Sequence, residues 1–561
     1  MKIDQVNQNC MLANANYFEN SKLLGVHDLD GEYSKFSLTE GNFEVKGPVI
    51  ANFREDGKRK NYATSGCHAL VIGGTGSGKS QCYYRAQIEA YPRSKNQPSV
   101  FIMDLKGEYF RNYSSLYKNA GYEVYVLNLK EPFDSCRYNP LTPVWECYQN
   151  SVEAKKLLQN ADGSERTWFG KEFNSFEEWK HAVLSYQIEQ MEECQNYLNR
   201  LSRMIVPVES KKEPTWEYGA RQMFYAQAMG LLEDSEYPER NMTGNKFTIA
   251  NIIRIATCTE DDCAYISRWI NARDSKSVVR GLKNYYTSHA KVTREGYTST
   301  FATKVDRWNN MSTSWVTSST DIDVKRIAER VNEQQVAIFC ITDETRPESY
   351  DICMSFIDHL ISSLKIRNDK IGPIERDFHI LADEFANMPQ LPNMDNRITT
   401  LRSYRIWLHM GIQSFDQLDE KYSEKLRNII IDNCDVQVFF GTNNTKTVKE
   451  FASSLGEKAA PITAYNIGND CRLSLSISAA NRPLVRHSDL ASLKLGEAFV
   501  KVFRHSPIFT KLEPHFMCED LYHDNTEPEK VIADLSELEK SVYDIRDLEK
   551  GRPVRSFNFD F

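Results

Sequence analysis

The sequence contains no apolar run of the length, about 18 residues, that a helix needs to cross a lipid bilayer. Its first ten residues also lack the apolar core of a secretory signal peptide. None of the 13 cysteines, which are scattered from Cys10 to Cys518, shows C-x-x-C spacing. The absence of that spacing argues against a zinc module or a disulfide framework and favours a reducing compartment. We therefore expect a cytoplasmic protein that reaches the inner face of a membrane only through a partner.

The chain also has no excess of positively charged residues. The 561 residues carry a formal net charge of −8 at pH 7, with 41% hydrophobic and 26% charged residues. This balance is typical of a globular protein, and it excludes a chain that coats nucleic acid over its whole surface. Any DNA contact must come from a local patch or a pore lining. The length leaves room for two or more domains.

Short apolar segments rich in β-forming residues recur along the chain. They are continuous rather than alternating, which is typical of strands buried on both faces of a parallel sheet. Helix-like stretches lie between many of them, so the pattern predicts an α/β domain with a mainly parallel central sheet. The predicted strands are His68–Ile72, Ser99–Asp104, Tyr122–Asn128, Gln335–Thr342, Phe378–Glu384, Ile406–Gln413, Val436–Thr442 and Ala498–Phe503.

A glycine-rich segment carries the strongest functional pattern. It matches G-x-x-x-x-G-K-[ST] in full and lies between a predicted strand and a predicted helix, Ser80 to Ala90. Glycines let the backbone turn so tightly that successive N–H groups point at a phosphate, and the helix N-terminus adds partial positive charge. We expect Lys79 to contact the β- and γ-phosphates of ATP and Ser80 to bind Mg²⁺. The predicted nucleotide-binding residues are Gly73, Gly74, Thr75, Gly76, Ser77, Gly78, Lys79 and Ser80.

A pair of carboxylates ends the predicted strand Phe378–Glu384. Asp383 is the candidate to hold Mg²⁺ through water, because a hard cation prefers oxygen ligands. Glu384 is the candidate to orient and deprotonate the attacking water. An Asp-Glu pair is common on protein surfaces, but after an apolar strand in a chain with a phosphate loop it favours an ATP hydrolase over a kinase.

Two further residues flank the strand Ile406–Gln413. Gln413 ends it, where a polar side chain can sense the γ-phosphate; a plain polar strand cap is the alternative. Arg402 and Arg405 precede it. A guanidinium supplied by a neighbouring subunit can stabilise charge on the transferring phosphoryl group, whereas ordinary surface arginines are the alternative.

The short apolar segments typical of strands are absent between residues 151 and 322. Apolar residues recur there at helical spacing instead: Leu184, Ile188, Met191, Leu198, Leu201 and Ile205. We expect an all-α domain inserted into a RecA-like nucleotide-binding domain. The predicted boundaries are 1–60 for an N-terminal leader segment of the nucleotide-binding domain, 61–150 for its first part, 151–322 for the all-α domain, 323–515 for its second part and 516–561 for an acidic C-terminal tail.

An ordered series of motifs resembles the TraG/TraD-type coupling proteins of type IV secretion and conjugation. It comprises the loop HALVIGGTGSGKS and the segments Asp104-Leu-Lys-Gly-Glu108, Gly121-Tyr-Glu-Val, Tyr138-Asn-Pro-Leu141, Trp216 with Ala220, Leu381–Asn387, Asn433-Cys-Asp435, Leu455-Gly-Glu457 and Arg482-Pro-Leu484. Leu105 stands where the family often has proline. The similarity runs from about residue 65 to residue 510.

The resemblance implies a DNA-translocating ATPase motor, a homo-oligomer that forms a hexameric ring. Its implied partners are DNA bound without sequence specificity, relaxase or relaxosome proteins, and secretion components. Arg402, eleven residues before Gln413, matches the family's arginine finger by spacing. Many members begin with transmembrane helices, so we expect a variant without this anchor that uses a separate membrane protein; removal of the anchor is the alternative.

Two other functions fit the same motifs. A cytoplasmic DNA translocase related to FtsK or HerA would share the phosphate loop, the acidic strand end and the ring, without a link to secretion. A nucleotide-binding recruitment platform would hydrolyse ATP slowly and only switch conformation. The Lys106-Gly-Glu and Arg482-Pro-Leu elements favour secretion, and the set of Lys79, Asp383 and Glu384 favours a motor.

Overall fold

The computed structural model describes residues 22–210, 212–256, 260–283, 285–286, 291–467, 473–518, 522, 533–544 and 546. Within the helices and strands, side chains 256, 260–263, 291, 459–467 and 473–480 are not described. The chain divides into two compact units. The first comprises Met1–Tyr125, Arg326–Cys340 and Leu364–Pro528, and the second comprises Val126–Lys325, Ile341–Ser363 and Glu529–Phe561. Most of the predicted acidic tail lies outside the described residues.

The strands in chain order are β1 Ser34–Phe36, β2 Val49–Glu55, β3 Lys58–Ala63, β4 Ala69–Ile72, β5 Ser99–Asp104, β6 Glu123–Asn128, β7 Thr167–Trp168, β8 Lys171–Glu172, β9 Val336–Ile341, β10 Phe378–Ala382, β11 Ile406–Ile412, β12 Val436–Phe439, β13 Glu457–Ile467, β14 Leu473–Pro483, β15 Glu497–Val502 and β16 Ile508–Lys511. Each of the eight predicted strands has its counterpart here.

The helices in chain order are α1 Arg85–Ala90, α2 Glu108–Asn119, α3 Thr142–Asn160, α4 Phe176–Ile205, α5 Pro214–Asp234, α6 Ile249–Ala256, α7 Glu260–Asn271, α8 Lys291–Val305, α9 Met311–Val316, α10 Val324–Glu329, α11 Pro347–Ile371, α12 Met394–Thr400, α13 Phe415–Asp432, α14 Thr445–Ser454, α15 His487–Ala491 and α16 Ser536–Lys540. No helix within the described ranges combines the length and the apolar character that a membrane span requires.

Nine strands of the described chain form one sheet in the order β16-β15-β12-β4-β11-β10-β5-β9-β6. The central pairs β12-β4, β4-β11, β11-β10 and β10-β5 are parallel, whereas β15 and β16 add an antiparallel edge. Every residue of β4, β5, β10 and β11 is buried. The continuous apolar runs are therefore strands covered on both faces, as predicted.

The first unit also holds a three-stranded antiparallel sheet, in the order β1-β3-β2, that the sequence analysis did not predict. Asp56 and Gly57 join β2 to β3, and both have positive φ angles, 51° and 76°. An Asp-Gly pair is the favoured two-residue hairpin turn because glycine adopts that region without strain. The segment described in the sequence analysis as a leader is thus folded from β1 onward.

The second unit is built mainly from helices. The predicted amphipathic stripe lies on α4, whose N-terminus is capped by Ser175: its Oγ accepts the N–H of Glu178 at 3.2 Å. Helix α4 packs on α3, and a buried hydrogen bond of 3.0 Å from Ser151 Oγ to the Gln187 carbonyl links them. The short strand pair β7-β8 is an exception to the predicted all-α character. The domain boundaries stay a prediction.

Candidate active site

Three chain segments meet at the carboxyl edge of the central sheet. Ile412 of β11 is in register with Ile72 of β4, and Ala382 of β10 is in register with Met410 of β11. The residues that follow these parallel strands, among them Gly73 and Asp383, consequently emerge at one edge. The Gly73 N–H donates a 3.0 Å hydrogen bond to the Ile412 carbonyl, which joins the start of the glycine-rich loop directly to the end of β11.

The glycine-rich loop has the geometry that its sequence predicts. Gly76 and Gly78 have φ angles of 76° and 105°, in the left-handed region that side-chain-bearing residues rarely adopt. A wide helical turn, Lys79–Tyr84, follows and leads into α1. The Lys79 side chain is buried and its Nζ donates to the Gly73 carbonyl, so the ammonium lies across the loop. The loop thus combines backbone donors, a helix N-terminus and one positive charge.

Asp383 lies beside this loop. Its Oδ2 atom accepts hydrogen bonds from the Ser80 hydroxyl and, at 3.0 Å, from the Tyr109 hydroxyl. Oδ1 is buried and has no hydrogen-bond partner among the described residues. Burial raises the pKa of the Asp383 carboxyl, while the hydrogen bond from Ser80 and the charge of Lys79 oppose that rise. The structure therefore places the glycine-rich loop next to the acidic strand end, and the binding roles of these residues stay predictions.

Glu384 and Gln413 extend the same edge. Glu384 is half-buried and begins the short turn Phe385–Asn387. Gln413 is half-buried, and its N–H donates to Gln417 Oε1 at 2.9 Å. The bond ties the end of β11 to the first turn of α13. The catalytic roles of Glu384 and Gln413 stay predictions.

Arg402 lies at the other edge of the sheet. It belongs to the 3₁₀ turn Leu401–Tyr404 before β11, whereas the phosphate loop lies level with the end of that strand. A strand of seven residues spans roughly 20 Å. The guanidinium is exposed and pairs with Asp435 at 3.2 Å. Within one chain, Arg402 therefore cannot reach the site formed by Lys79 and Asp383.

Sequence reasoning missed two groups around the site. One is the set of Tyr109, Glu108 and Arg85: Arg85 Nη2 donates to Glu108 Oε2 at 2.7 Å, and its guanidinium lies 5.6 Å from the centre of the Tyr109 ring. The sequence signal near this set is the segment Asp104–Glu108, which resembles a motif of coupling proteins and is followed directly by Tyr109. The pattern of that segment does not indicate a chemical role.

The other missed group is a buried network under the loop. His409 Nδ1 is 2.8 Å from the Tyr83 hydroxyl, and its Nε2 is 2.9 Å from His379 Nδ1. Burial lowers the pKa of His379 to about 3 and that of His409 well below its ordinary value, so both rings are neutral at pH 7. Strands β10 and β11 are thereby linked to the turn that follows the phosphate loop. Isolated histidines in apolar strands gave no signal for it.

The donor set at Asp383 suits a magnesium ion bound together with phosphates. No group of three or more His, Cys, Asp or Glu side chains in the described ranges could hold a metal ion alone. Mg²⁺ in nucleotide sites is usually held by one or two protein oxygens plus phosphates and water. The buried Oδ1 of Asp383 and the Ser80 hydroxyl are oxygen donors of that kind.

A glycine-rich loop between a buried strand and a helix, with a lysine and a Ser–Asp pair at the carboxyl edge of a mainly parallel sheet, defines a P-loop nucleotide-binding fold. The chain belongs to one family within that class. Residues 28–537 match the family model described as Type IV secretory system Conjugative DNA transfer. This match covers most of the chain and confirms the resemblance to coupling proteins.

Curated relatives agree with the family. The chain is 20% identical over 450 residues to protein VirD4 of Rhizobium rhizogenes, which covers 79% of this chain and 58% of that protein. It is also 20% identical over 472 residues to VirD4 of Agrobacterium fabrum; this alignment covers 83% of this chain and 61% of that protein. The chain thus spans about three fifths of the length of these relatives.

Solved structures share the fold. The unbound form of the bacterial conjugative coupling protein TrwBdeltaN70 superimposes with a TM-score of 0.56 at 15% identity, covering 92% of this chain and 96% of that one. A structure of TrwB in complex with ADP and Mg²⁺ gives a TM-score of 0.57 at 15% identity, covering 92% and 98%. These similarities confirm the predicted fold class, a RecA-like P-loop domain with additional helices.

Proposed function

We propose that this protein is an ATP-hydrolysing coupling protein, which recruits a relaxase–DNA complex or a protein substrate to a type IV secretion channel and drives DNA transfer. The observation that carries the proposal is the convergence of Lys79, Ser80 and Asp383 at one edge of the sheet. Family membership supports the link to conjugation. TrwB, described with ADP and Mg²⁺ and with an ATP analogue, supports the choice of nucleotide and metal.

In this proposal the loop residues 73–80 bind the phosphates through backbone N–H groups and the Lys79 ammonium. Ser80 and Asp383 hold Mg²⁺, the latter through water on its Oδ1. The bound cation would neutralise charge on the phosphate oxygens. Glu384 orients the attacking water and accepts its proton, and Gln413 detects whether the γ-phosphate is present.

The position of Arg402 supports an oligomer. Because it lies a strand length away from Lys79 in its own chain, it can act as an arginine finger only on the site of another copy. A ring of six copies would place the edge with Arg402 against the edge with the phosphate loop of the next copy. A head-to-tail contact of this kind generates a ring when the rotation between neighbouring copies closes on itself.

The proposed partners are DNA, relaxosome proteins, secretion components and a separate membrane anchor protein. With a net charge of −8, the chain as a whole does not attract DNA, so we expect contacts to phosphates from a pore lining. Such contacts would be salt-sensitive and weakly selective for sequence.

The first experiment measures ATP turnover of the wild-type protein without DNA, with single-stranded DNA and with double-stranded DNA, over a range of protein concentrations. We expect turnover to rise with DNA and steeply with protein concentration, because each site needs a neighbouring copy. Turnover that remains in the Glu384→Gln variant sets an upper limit on the background from contaminating ATPases. Turnover that Glu384→Gln leaves unchanged would contradict the assignment of the site.

Two other outcomes separate the remaining alternatives. Turnover that depends on Glu384 but ignores DNA would count against a motor and favour a nucleotide switch. DNA-stimulated turnover without binding to relaxosome or secretion proteins in pull-down experiments would count against coupling and favour a translocase unconnected to secretion.

A further inference from the structure

The turn Asp104–Glu108 between β5 and α2 is built on a buried carboxylate. Asp104 accepts the Phe110 N–H at 2.9 Å and the Lys106 N–H at 3.4 Å, and it is 2% exposed. Burial raises the pKa of Asp104 to about 6. Gly107 has a φ angle of 69° and lets the chain enter α2 at once. The turn therefore places the first residues of α2, Glu108 and Tyr109, in a defined position.

Of the two, Tyr109 contacts the nucleotide site directly. Tyr109 is 5% exposed, and its hydroxyl donates to Asp383 Oδ2 at 3.0 Å. Glu108 accepts from Arg85 at 2.7 Å, and the nearly buried Arg85 guanidinium lies against the rings of Tyr109 and Tyr113. Packing on Arg85 leaves the Tyr109 ring little freedom to rotate away.

The two oxygens of Asp383 have different surroundings. Oδ2 accepts from Ser80 and Tyr109, whereas Oδ1 is buried without a hydrogen-bond partner among the described residues. Ser80 has a second task in the proposed function, because its hydroxyl oxygen would bind Mg²⁺. Tyr109 has no such task. It is a donor that can hold Oδ2, and so the direction of Oδ1, whether or not the cation is bound.

We propose that Tyr109 is a positioning residue for Asp383, and that the Asp104–Glu108 turn serves to present it. The inference rests on the proposed function, since it concerns the Mg²⁺ that Asp383 would hold.

The test compares wild type with Tyr109→Phe, which removes one hydroxyl and keeps the ring. ADP binding is measured by calorimetry at increasing MgCl₂ and, separately, in EDTA. We expect Tyr109→Phe to need about tenfold more Mg²⁺ for half-maximal enhancement of ADP binding, because a hydrogen bond to a charged group is lost. ADP affinity in EDTA should be unchanged, because the loop residues 73–80 are untouched.

Tyr117→Phe is the matched control. Tyr117 lies on the same helix, is fully buried, and its hydroxyl donates to the Ile88 carbonyl at 3.0 Å, away from Asp383. Its Mg²⁺ requirement should equal that of wild type. An equal shift in both variants, or a loss of ADP affinity in EDTA for Tyr109→Phe, would overturn the positioning role in favour of general packing.

The Asp383→Asn variant allows a double-mutant cycle between Tyr109 and Asp383. In that background Tyr109→Phe should change the Mg²⁺ requirement no further, and additive effects would overturn the inference. An unchanged Mg²⁺ requirement in Tyr109→Phe would overturn it as well, provided that wild type binds ADP with Mg²⁺. Absence of ADP binding by folded wild type would instead refute the proposed function, so the two failures are distinguishable.

Discussion

The two edges of the central sheet differ in how many of their candidate functional residues contact one another within a single chain. At the carboxyl edge, Ser80, Tyr109 and Asp383 are joined by hydrogen bonds, and Lys79 is buried beside them. At the amino edge, Arg402 is exposed, and its ion-pair partner among the described residues is the half-buried carboxylate of Asp435. The carboxyl edge therefore brings its candidate site residues together within one chain, whereas Arg402 lies exposed at the opposite edge.

This difference bears on how the site would work. Parallel strands place their two ends far apart, so an element that precedes β11 cannot contact one that follows β4. If both elements serve a single reaction, a second copy must bring them together.

Replacing Lys79 by alanine should abolish turnover. The variant removes the buried positive charge that lies across the phosphate loop, which no other side chain of the loop can replace. ATP turnover and ADP affinity, measured together, check this. Turnover at the wild-type rate would refute the assignment of the carboxyl edge as the nucleotide site.

Replacing Arg402 by alanine should lower DNA-stimulated turnover about a thousandfold, as loss of an arginine finger does in other phosphoryl-transfer enzymes. Mixing Arg402→Ala with Lys79→Ala should restore part of the activity. In mixed rings, a Lys79→Ala copy supplies Arg402 to the intact phosphate loop of its neighbour. No recovery in mixed assemblies of normal size would count against a role across subunits.

Glu384→Gln should lower turnover about a hundredfold, because a neutral amide cannot accept the proton of the attacking water. Nucleotide affinity should persist, since Lys79, Ser80 and Asp383 are intact. Rapid mixing with ATP, followed by measurement of bound nucleotide and released phosphate, separates the two steps. Weakened binding with normal hydrolysis of the bound fraction would assign Glu384 a structural role instead.

Arg405→Ala is the comparison for Arg402 and should have the smallest effect. Arg405 precedes the same strand, but its guanidinium is bound to Asp377 by two hydrogen bonds, of 3.0 and 2.9 Å. Its loss should destabilise the fold by about 3 kcal/mol, because the buried Asp377 carboxylate loses two charge-assisted hydrogen bonds and keeps, among the described residues, the one from Trp407. Thermal unfolding measures this loss of stability. DNA-stimulated turnover of Arg405→Ala should stay close to that of wild type. A turnover defect as large as that of Arg402→Ala would remove the distinction between the two arginines.

Much of the fold was predictable because its signals are local. Strands β4, β5 and β10 are mainly apolar and buried along their whole length, and burial on both faces favours that composition. The β2-β3 hairpin was missed although its Asp56-Gly57 turn is a recognisable signal, because the flanking strand Lys58–Ala63 is too polar to stand out. Strands β7 and β8, two residues each, are too short for any periodicity to mark them.

The phosphate loop, the acidic strand end and the family could be predicted from the chain alone, since each is marked by short motifs of neighbouring residues. The contact of Tyr109 with Asp383, 274 residues away, and the opposite positions of Arg402 and Lys79 became visible in the folded chain. Those facts follow from strand order: β10 pairs with β5, which brings the start of α2 beside Asp383. Strand order reflects how distant apolar faces pack, and no short stretch of sequence records it.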